Sequence, residues 1–335
     1  MRGVLFRICC ALAFLASGTA LAQDPIVIVF SHVVAADTPK GKAAQYFAEL
    51  ASKLTKGAVK VEVYGNSTLY RDKDEMEALQ LGAVQMLAPS LAKFSPLGIR
   101  DYEVFDLPYI FDSTEMLHRV TQGPLGKALL KKLEPKGIKG LAFWDNGFKS
   151  FSANRPLRTP DDFKGLKMRI QSSKVLEAQM RALGALPHAM IFSDVYQALQ
   201  KGVVDGTENP HSNFYSQRMY EVQSHMTLSE HGYLGYAVIT NKKFWDSLPT
   251  AIRNQLEEAM RLSTEYANKI AKEENDKALA RIRETGKTEI HVPTAAERTA
   301  LKRALIATHK EMAQRIGNET IQAIYSETGF DPSRL

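Results

Sequence analysis

The sequence predicts an α/β protein built as two domains, and three observations carry that expectation. An apolar run of strand length at residues 26–30, a helix-spaced stretch, and alternating Val59, Val61 and Val63 make a strand, helix, strand unit. That unit is the sign of a sheet with helices packed on it. About 310 residues remain beyond an N-terminal leader, ample for burial and usually arranged as two domains. Residues 251–283 contain neither proline nor glycine and are dense in Glu, Lys, Ala and Leu. As one helix they would run roughly 45 to 50 Å, longer than a single small domain.

The leader occupies residues 1–22. Arg2 and Arg7 supply a positive start, residues 8–16 an apolar run, and Ala20-Leu21-Ala22 a small-x-small site before Gln23. This is the pattern of a secretory signal peptide cut after Ala22, which places the mature protein in the periplasm. The other reading, an uncleaved anchor, needs roughly 18 to 20 apolar residues and the run is too short. Both cysteines, Cys9 and Cys10, fall inside the leader, so the mature chain has none. A thiol nucleophile, a CxxC redox pair and a thiolate zinc site are thereby excluded, and stability has to come from burial.

Two of the 43 basic residues lie in the leader, which leaves 41 against 37 acidic, interspersed along the chain. With no basic stripe and no nucleic-acid module, nucleic acid is not an expected partner. Mild basicity with local cations suits a small anionic ligand. No second apolar run is long enough to cross a bilayer, so the mature protein is expected to be soluble.

In chain order, the strand at 26–30 ends at Ser31-His32. A helix follows on Ala43, Ala44, Phe47, Leu50, Ala51 and Leu54, stopped by Gly57. Residues 72–81 read as a helix stopped by Gly82, and 84–88 as a short buried strand leading to Pro89-Ser90. Residues 115–133 read as two helices broken at Gly123-Pro124, and 138–144 as a strand. Loops at the carboxyl ends of such strands carry ligand sites, which puts His32, Ser90 and the segment after Trp144 on one rim.

A second region begins at Asn146. Residues 149–153 and 163–170 read as strands with a turn at Thr159-Pro160-Asp161 between them, and 174–183 as a helix ended by Gly184. Ser193 is expected to cap a helix over 195–201, and 203–206 lead to Glu208-Asn209-Pro210. Another strand covers 233–240, followed by Phe244-Trp245. Pro249 opens the long helix, which either spans both domains or breaks at 272–275. A late strand at 288–292 and helices from Ala295 onward close the chain.

In the strand at 163–170, Leu166, Met168 and Ile170 alternate with Lys167 and Arg169, so one face is buried and two cations leave the other. These could be the wet face of an ordinary strand. Arg169 is nonetheless the leading candidate for an anion site, because a guanidinium offers a planar fork of donors matched to a carboxylate and stays charged when partly desolvated.

Catalytic patterns are not found. There is no G-x-S-x-G, no H-E-x-x-H and no glycine-rich phosphate loop. His225 and His231 have a spacing that fits neither one helix face nor a usual zinc pair, and His188, His291 and His309 form no pattern. Asp161-Asp162 reads as a turn cap. No enzyme activity, metal or cofactor is expected.

The run AFWDNGFKSFSANRPLRTPDDFKGLKMRI at residues 142–170, with IFSDVYQALQKGVVDGTENP at 191–210, resembles the extracytoplasmic solute-binding subunits of TRAP transporters. SHVVAADTPKGKAA from Ser31 and LYRDKDEMEALQLGAVQMLAPSLAKF from Leu69 are most similar to their C4-dicarboxylate branch. The resemblance spans essentially the whole mature chain. It implies a two-lobed periplasmic binding protein fold with a hinge, crossing strands and a long helix over both lobes. Lobe I would be 23–146 plus about 235–274, and lobe II 147–234 plus about 275–335.

It further implies that Arg169 pairs with the ligand carboxylate beside Asn209, that Phe192 lines the pocket, and that Lys149 stands where sialic-acid binders carry a second arginine. His32, Tyr70, Arg71, Ser90 and Lys93 would meet the other end of the ligand, and Tyr236 completes the candidate set. Lys149 and the Pro89-Ser90 pair depart from sugar-acid binders. The implied ligand is succinate, malate or fumarate, the alternative a monocarboxylate or aromatic acid. The implied partners are the small and large membrane subunits of a sodium-driven permease, served by a monomer.

Overall fold

The structure is a computed structural model and describes residues 24–332, so the leader and its cleavage site lie outside the described residues. Two sheets organise the chain. The first contains β1 (Ile26–Ser31), β2 (Val59–Tyr64), β3 (Met86–Leu87), β4 (Ile138–Phe148) and a strand that returns late, β10 (Tyr233–Asn241). Their order is β2-β1-β3-β10-β4, with β1 parallel to β2 and β3, and β10 antiparallel to β3 and β4. The second contains β5 (Ser150–Ala153), β6 (Lys167–Ile170), β7 (Leu186–Ala189), β8 (Gly206–Asn209), β9 (His225–Thr227) and β11 (Glu289–His291), in the order β11-β9-β5-β8-β6-β7.

Two short segments carry the chain between the sheets. β4 runs four residues past the expected end at Trp144, and a single residue, Lys149, separates it from β5. The return passes from Thr227 to Tyr233. The two crossings are tied where the Lys149 N–H donates to the Gly232 carbonyl at 2.8 Å. Pairing of β4 with β10 continues to Phe148 opposite Tyr233, so the crossing strands form a paired ribbon up to the boundary.

The long helix is unbroken from Thr250 to Thr285, 36 residues, and ends on Gly286 in the left-handed region at φ 64°. Glycine takes that conformation without the steric cost of a Cβ. Its first half packs Leu256, Ala259, Met260 and Ala267 with Phe47, Ala43 and Trp144 of the first lobe, whereas Ile282 joins the second lobe's cluster around Phe214 and Met226. Past its midpoint, Asn275 fastens the crossing. Its Nδ2 donates to the Asn146 carbonyl at 2.6 Å and its Oδ1 accepts from the Ser212 N–H at 2.9 Å.

Several local expectations shift. The strand expected over 84–88 pairs only at Met86–Leu87. The helix expected from Asp72 starts at Glu75, because Asp72 turns inward to an ion pair with Lys93. Ser193 lies within a short turn at Phe192–Asp194 and Asp194 takes the cap position before Val195. The strand expected over 163–170 narrows to Lys167–Ile170, since residues 160–163 form a turn closed by Asp162, whose carboxylate accepts from the N–H of Thr159 at 2.7 Å and of Arg158 at 2.9 Å. After β11 the chain runs through helix Ala295–Ile316 to Asn318–Thr328, whose Ile321 and Ile324 pack with Leu117 and Val120 in the first lobe's core. Among the described residues no helix is long and apolar enough to cross a membrane.

Candidate functional site

Arg169 sits on β6 between β7 and β8, with Met168 and Ile170 in the apolar core of the second lobe. The sheet interior leaves its guanidinium 2% exposed. Nε and Nη2 donate to the Met190 carbonyl at 3.1 and 2.8 Å, which locks one edge of the fork. Among the described residues Nη1 has no hydrogen-bond partner. The guanidinium carbon lies 5.8 Å from the centroid of the Phe192 ring, an arrangement that steadies a cation against an aromatic face. Burial pulls the arginine pKa down, and Asp72 and Glu208 act against that pull, so the group remains a cation.

The free edge faces a small cavity, about 20 Å³, between the lobes. Arg169, Gln171, Phe192, Asn209 and Asn213 line it from the second lobe. Val33, Val34, Lys40, Asp72 and Ser90 line it from the first, with Leu234 and Tyr236 on β10. The lobes touch directly here: Gln171 Nε2 donates to Ser90 Oγ at 2.8 Å, and the Phe192 N–H donates to Asp72 Oδ2 at 2.5 Å. Asn209 Nδ2 is turned to Thr207 Oγ1 at 3.2 Å, and the Tyr236 hydroxyl accepts from Asn146 Nδ2 at 2.9 Å. A guest of several carbons can reach so enclosed a guanidinium only when the lobes separate.

Of the sequence candidates, Arg169, Asn209, Phe192, Ser90 and Tyr236 meet on this cavity, and Lys149, Lys93, His32, Tyr70 and Arg71 do not line it. Lys149 is buried in the crossover, where Nζ meets both oxygens of Glu208 at 2.9 and 2.7 Å. A Cβ on Gly232 would lie 2.9 Å from the Lys149 stem, so the absence of a side chain there makes room for it. His231 completes the group: Nε2 is 2.9 Å from Glu208 and Nδ1 is 2.8 Å from Ser229 Oγ, with the ring stacked on Phe151. Burial alone would raise the Glu208 carboxyl, yet Lys149 and His231 hold it down at about 2.

Lys93 is 2.5 Å from Asp72, one residue behind the wall. Burial would raise Asp72, but Lys93, the Phe192 N–H and Arg169 together keep it below the usual range. His32 is buried beneath the first lobe's rim, and burial with Lys40 nearby lowers its pKa to about 3, so the imidazole is neutral. Tyr70 packs its ring on the first lobe's core, and Arg71 is largely solvated, 3.9 Å from Asp194.

Four polar lining residues carried no signal that singled them out: Lys40, Asp72, Gln171 and Asn213. Lys40 follows Pro39 at a helix start, where a lysine normally reaches water. Two larger grooves, about 340 and 370 Å³, flank the long helix and share no lining residue with the Arg169 cavity. Among the described residues no cluster of His, Cys, Asp and Glu could hold a metal ion.

Comparison with known proteins places the chain in one family. The model of the bacterial extracellular solute-binding proteins, family 7, matches residues 30–316. The chain is 68% identical over 318 residues to the C4-dicarboxylate-binding periplasmic protein DctP of Rhodobacter capsulatus, covering 95% of each. It is similar to the structure of a TRAP periplasmic solute-binding protein from Shewanella oneidensis with bound succinate, with a TM-score of 0.88 and 41% identity over 91% of this chain and 99% of that one. A counterpart from Pseudomonas aeruginosa with bound L-malate superposes with a TM-score of 0.84 at 44% identity, covering 86% of this chain and all of that one.

Proposed function

Because the chain belongs to family 7 of the bacterial extracellular solute-binding proteins, we propose that it captures a C4-dicarboxylate between its lobes and hands it to the membrane subunits of a TRAP permease. The family binds and delivers solutes and is not a family of enzymes. Succinate, malate and fumarate are the candidate ligands, in line with the acids held by the similar structures. The compartment is the periplasm, reached by a leader cut after Ala22. We take the lobes to divide near Asn146 and Tyr233, with the long helix shared and the last helix packed on the first lobe.

The observation that carries this reading is the state of Arg169. A buried guanidinium with one edge fixed on a carbonyl and the other unpaired on an interlobe cavity is costly unless an anion joins it. A carboxylate meeting Nη1 and Nη2 would supply the partner and relieve that cost. Binding then favours the closed arrangement only to the extent that the ligand touches both lobes at once. Ser90, Gln171 and Tyr236 give such a ligand further polar contacts from both sides, and Phe192 an apolar wall.

Titration calorimetry with succinate, malate, fumarate and butyrate tests the proposal. The diacids should bind more tightly than butyrate by about 1 to 3 kcal/mol, since a monoacid leaves one set of donors buried and unpaired. Butyrate or an aromatic acid binding as tightly as succinate would overturn it.

A further inference from the structure

Among the described residues three lysine and arginine side chains are almost completely buried: Lys40 at 1%, Lys149 at 1% and Arg169 at 2% exposure. Lys149 has Glu208 at 2.7 Å. Among the described residues, neither Lys40 nor Arg169 has a carboxylate within 4 Å, and these two unpaired cations line the same cavity from opposite lobes. One unpaired buried charge is expensive, and two facing one small space call for two negative groups between them. We propose that Lys40 is the first-lobe cation that receives the ligand's second carboxylate, and so the residue that makes the site select two carboxylates over one. This rests on the reading that the cavity takes a C4 acid.

The surroundings of Lys40 leave it available for that role. Nζ donates to the Ala88 carbonyl at 2.9 Å and stands 3.8 Å from the centroid of the Tyr236 ring, which holds it over the cavity with donor capacity to spare. The charged and titratable groups around it are Glu75, Asp72, Lys93 and His32. Asp72 is committed to Lys93 and the Phe192 N–H. His32 is neutral. Glu75 is buried with Oε1 unpartnered, and burial raises its carboxyl pKa, so it is only a partial counter-ion. Lys93 has a full-time partner, whereas Lys40 has none.

Protonation gives an independent readout. Burial lowers the Lys40 pKa, against the upward pull of Glu75 and Asp72 and with the help of Lys93. The unliganded protein therefore gives up the Lys40 charge at a lower pH than an exposed lysine would, and a dianion must restore it on binding. Succinate affinity should then fall with rising pH, by at most about tenfold per unit, while butyrate held by Arg169 alone should not follow.

The test is calorimetric titration of the full mature chain and of Lys40→Met with succinate and butyrate, with Lys40→Arg as the charge-retaining control. Lys40→Met should weaken succinate on the order of 10- to 100-fold and butyrate less than about threefold, with Lys40→Arg recovering part of the loss. Equal weakening of both acids overturns the assignment. Should Lys40→Met fail to fold, wild-type titrations between pH 7 and 9 decide: a succinate affinity that stays flat overturns the role. If the wild type binds butyrate as tightly as succinate, the dicarboxylate reading fails and the Lys40 role with it; if it prefers succinate and Lys40→Met leaves that preference intact, only the Lys40 role fails.

Discussion

Lys149 and Arg169 are buried cations of the same lobe, and they live in opposite circumstances. Lys149 is closed in by Glu208 and His231, with every oxygen of the carboxylate in use. Arg169 has only a backbone carbonyl on one edge. A saturated charge holds a structure together, because removing it strands its partner; an unsaturated one costs stability until something arrives. The contrast separates a group that serves the fold from one that serves a ligand, although both look alike as basic residues near strands.

Substitution at each position tests the contrast. The largest expected effect is from Lys149→Met, which leaves the buried Glu208 carboxylate without its ion-pair partner, held only by the His231 ring, and should lower unfolding stability by about 3 to 5 kcal/mol in denaturant titrations. Folded protein should keep its succinate affinity. Arg169→Ala should do the reverse, lowering succinate affinity by about 2 to 5 kcal/mol in calorimetry while the unliganded melting temperature holds or rises. An Arg169→Ala protein that binds normally, or a Lys149→Met protein that is stable but does not bind, would erase the distinction. The smallest effect is from Gln171→Ala, which removes the hydrogen bond to Ser90 across the cleft and should cost about 1 kcal/mol of affinity with little change in the stability of the open form.

The strand and helix order was largely readable because burial imposes periods of two and of 3.6 residues on the sequence, and the long helix announced itself by the absence of breakers over 251–283. Arg169 was only half readable: the alternation offered Lys167 and Arg169 alike, and the chemistry of a guanidinium together with the family resemblance singled out the second. Lys149 and Lys93 were drawn into the candidate set by their place in the chain, and their partners were not visible there: Glu208 lies 59 residues away and Asp72 sits at what looked like a helix start. Lys40 was hidden for the opposite reason. A lysine two residues after a helix cap ordinarily reaches solvent, and only the arrival of β10 with Tyr236 covers it. Pairing across the chain is a property of the fold, so a local pattern shows that a charge exists and not whether it is satisfied.

The shared helix has a consequence for how this chain can vary. Asn275 must face the crossover while Leu256 and Ala259 face the first sheet, and each added residue turns whatever follows by about 100° and advances it about 1.5 Å. One extra residue between them would swing the asparagine amide away from Asn146 and Ser212 and carry the helix's far end out of alignment with Phe214. The spacing along this rod is therefore as strict a requirement as the identity of its side chains, and point substitutions on its wet face should be borne far more easily than any change in its count.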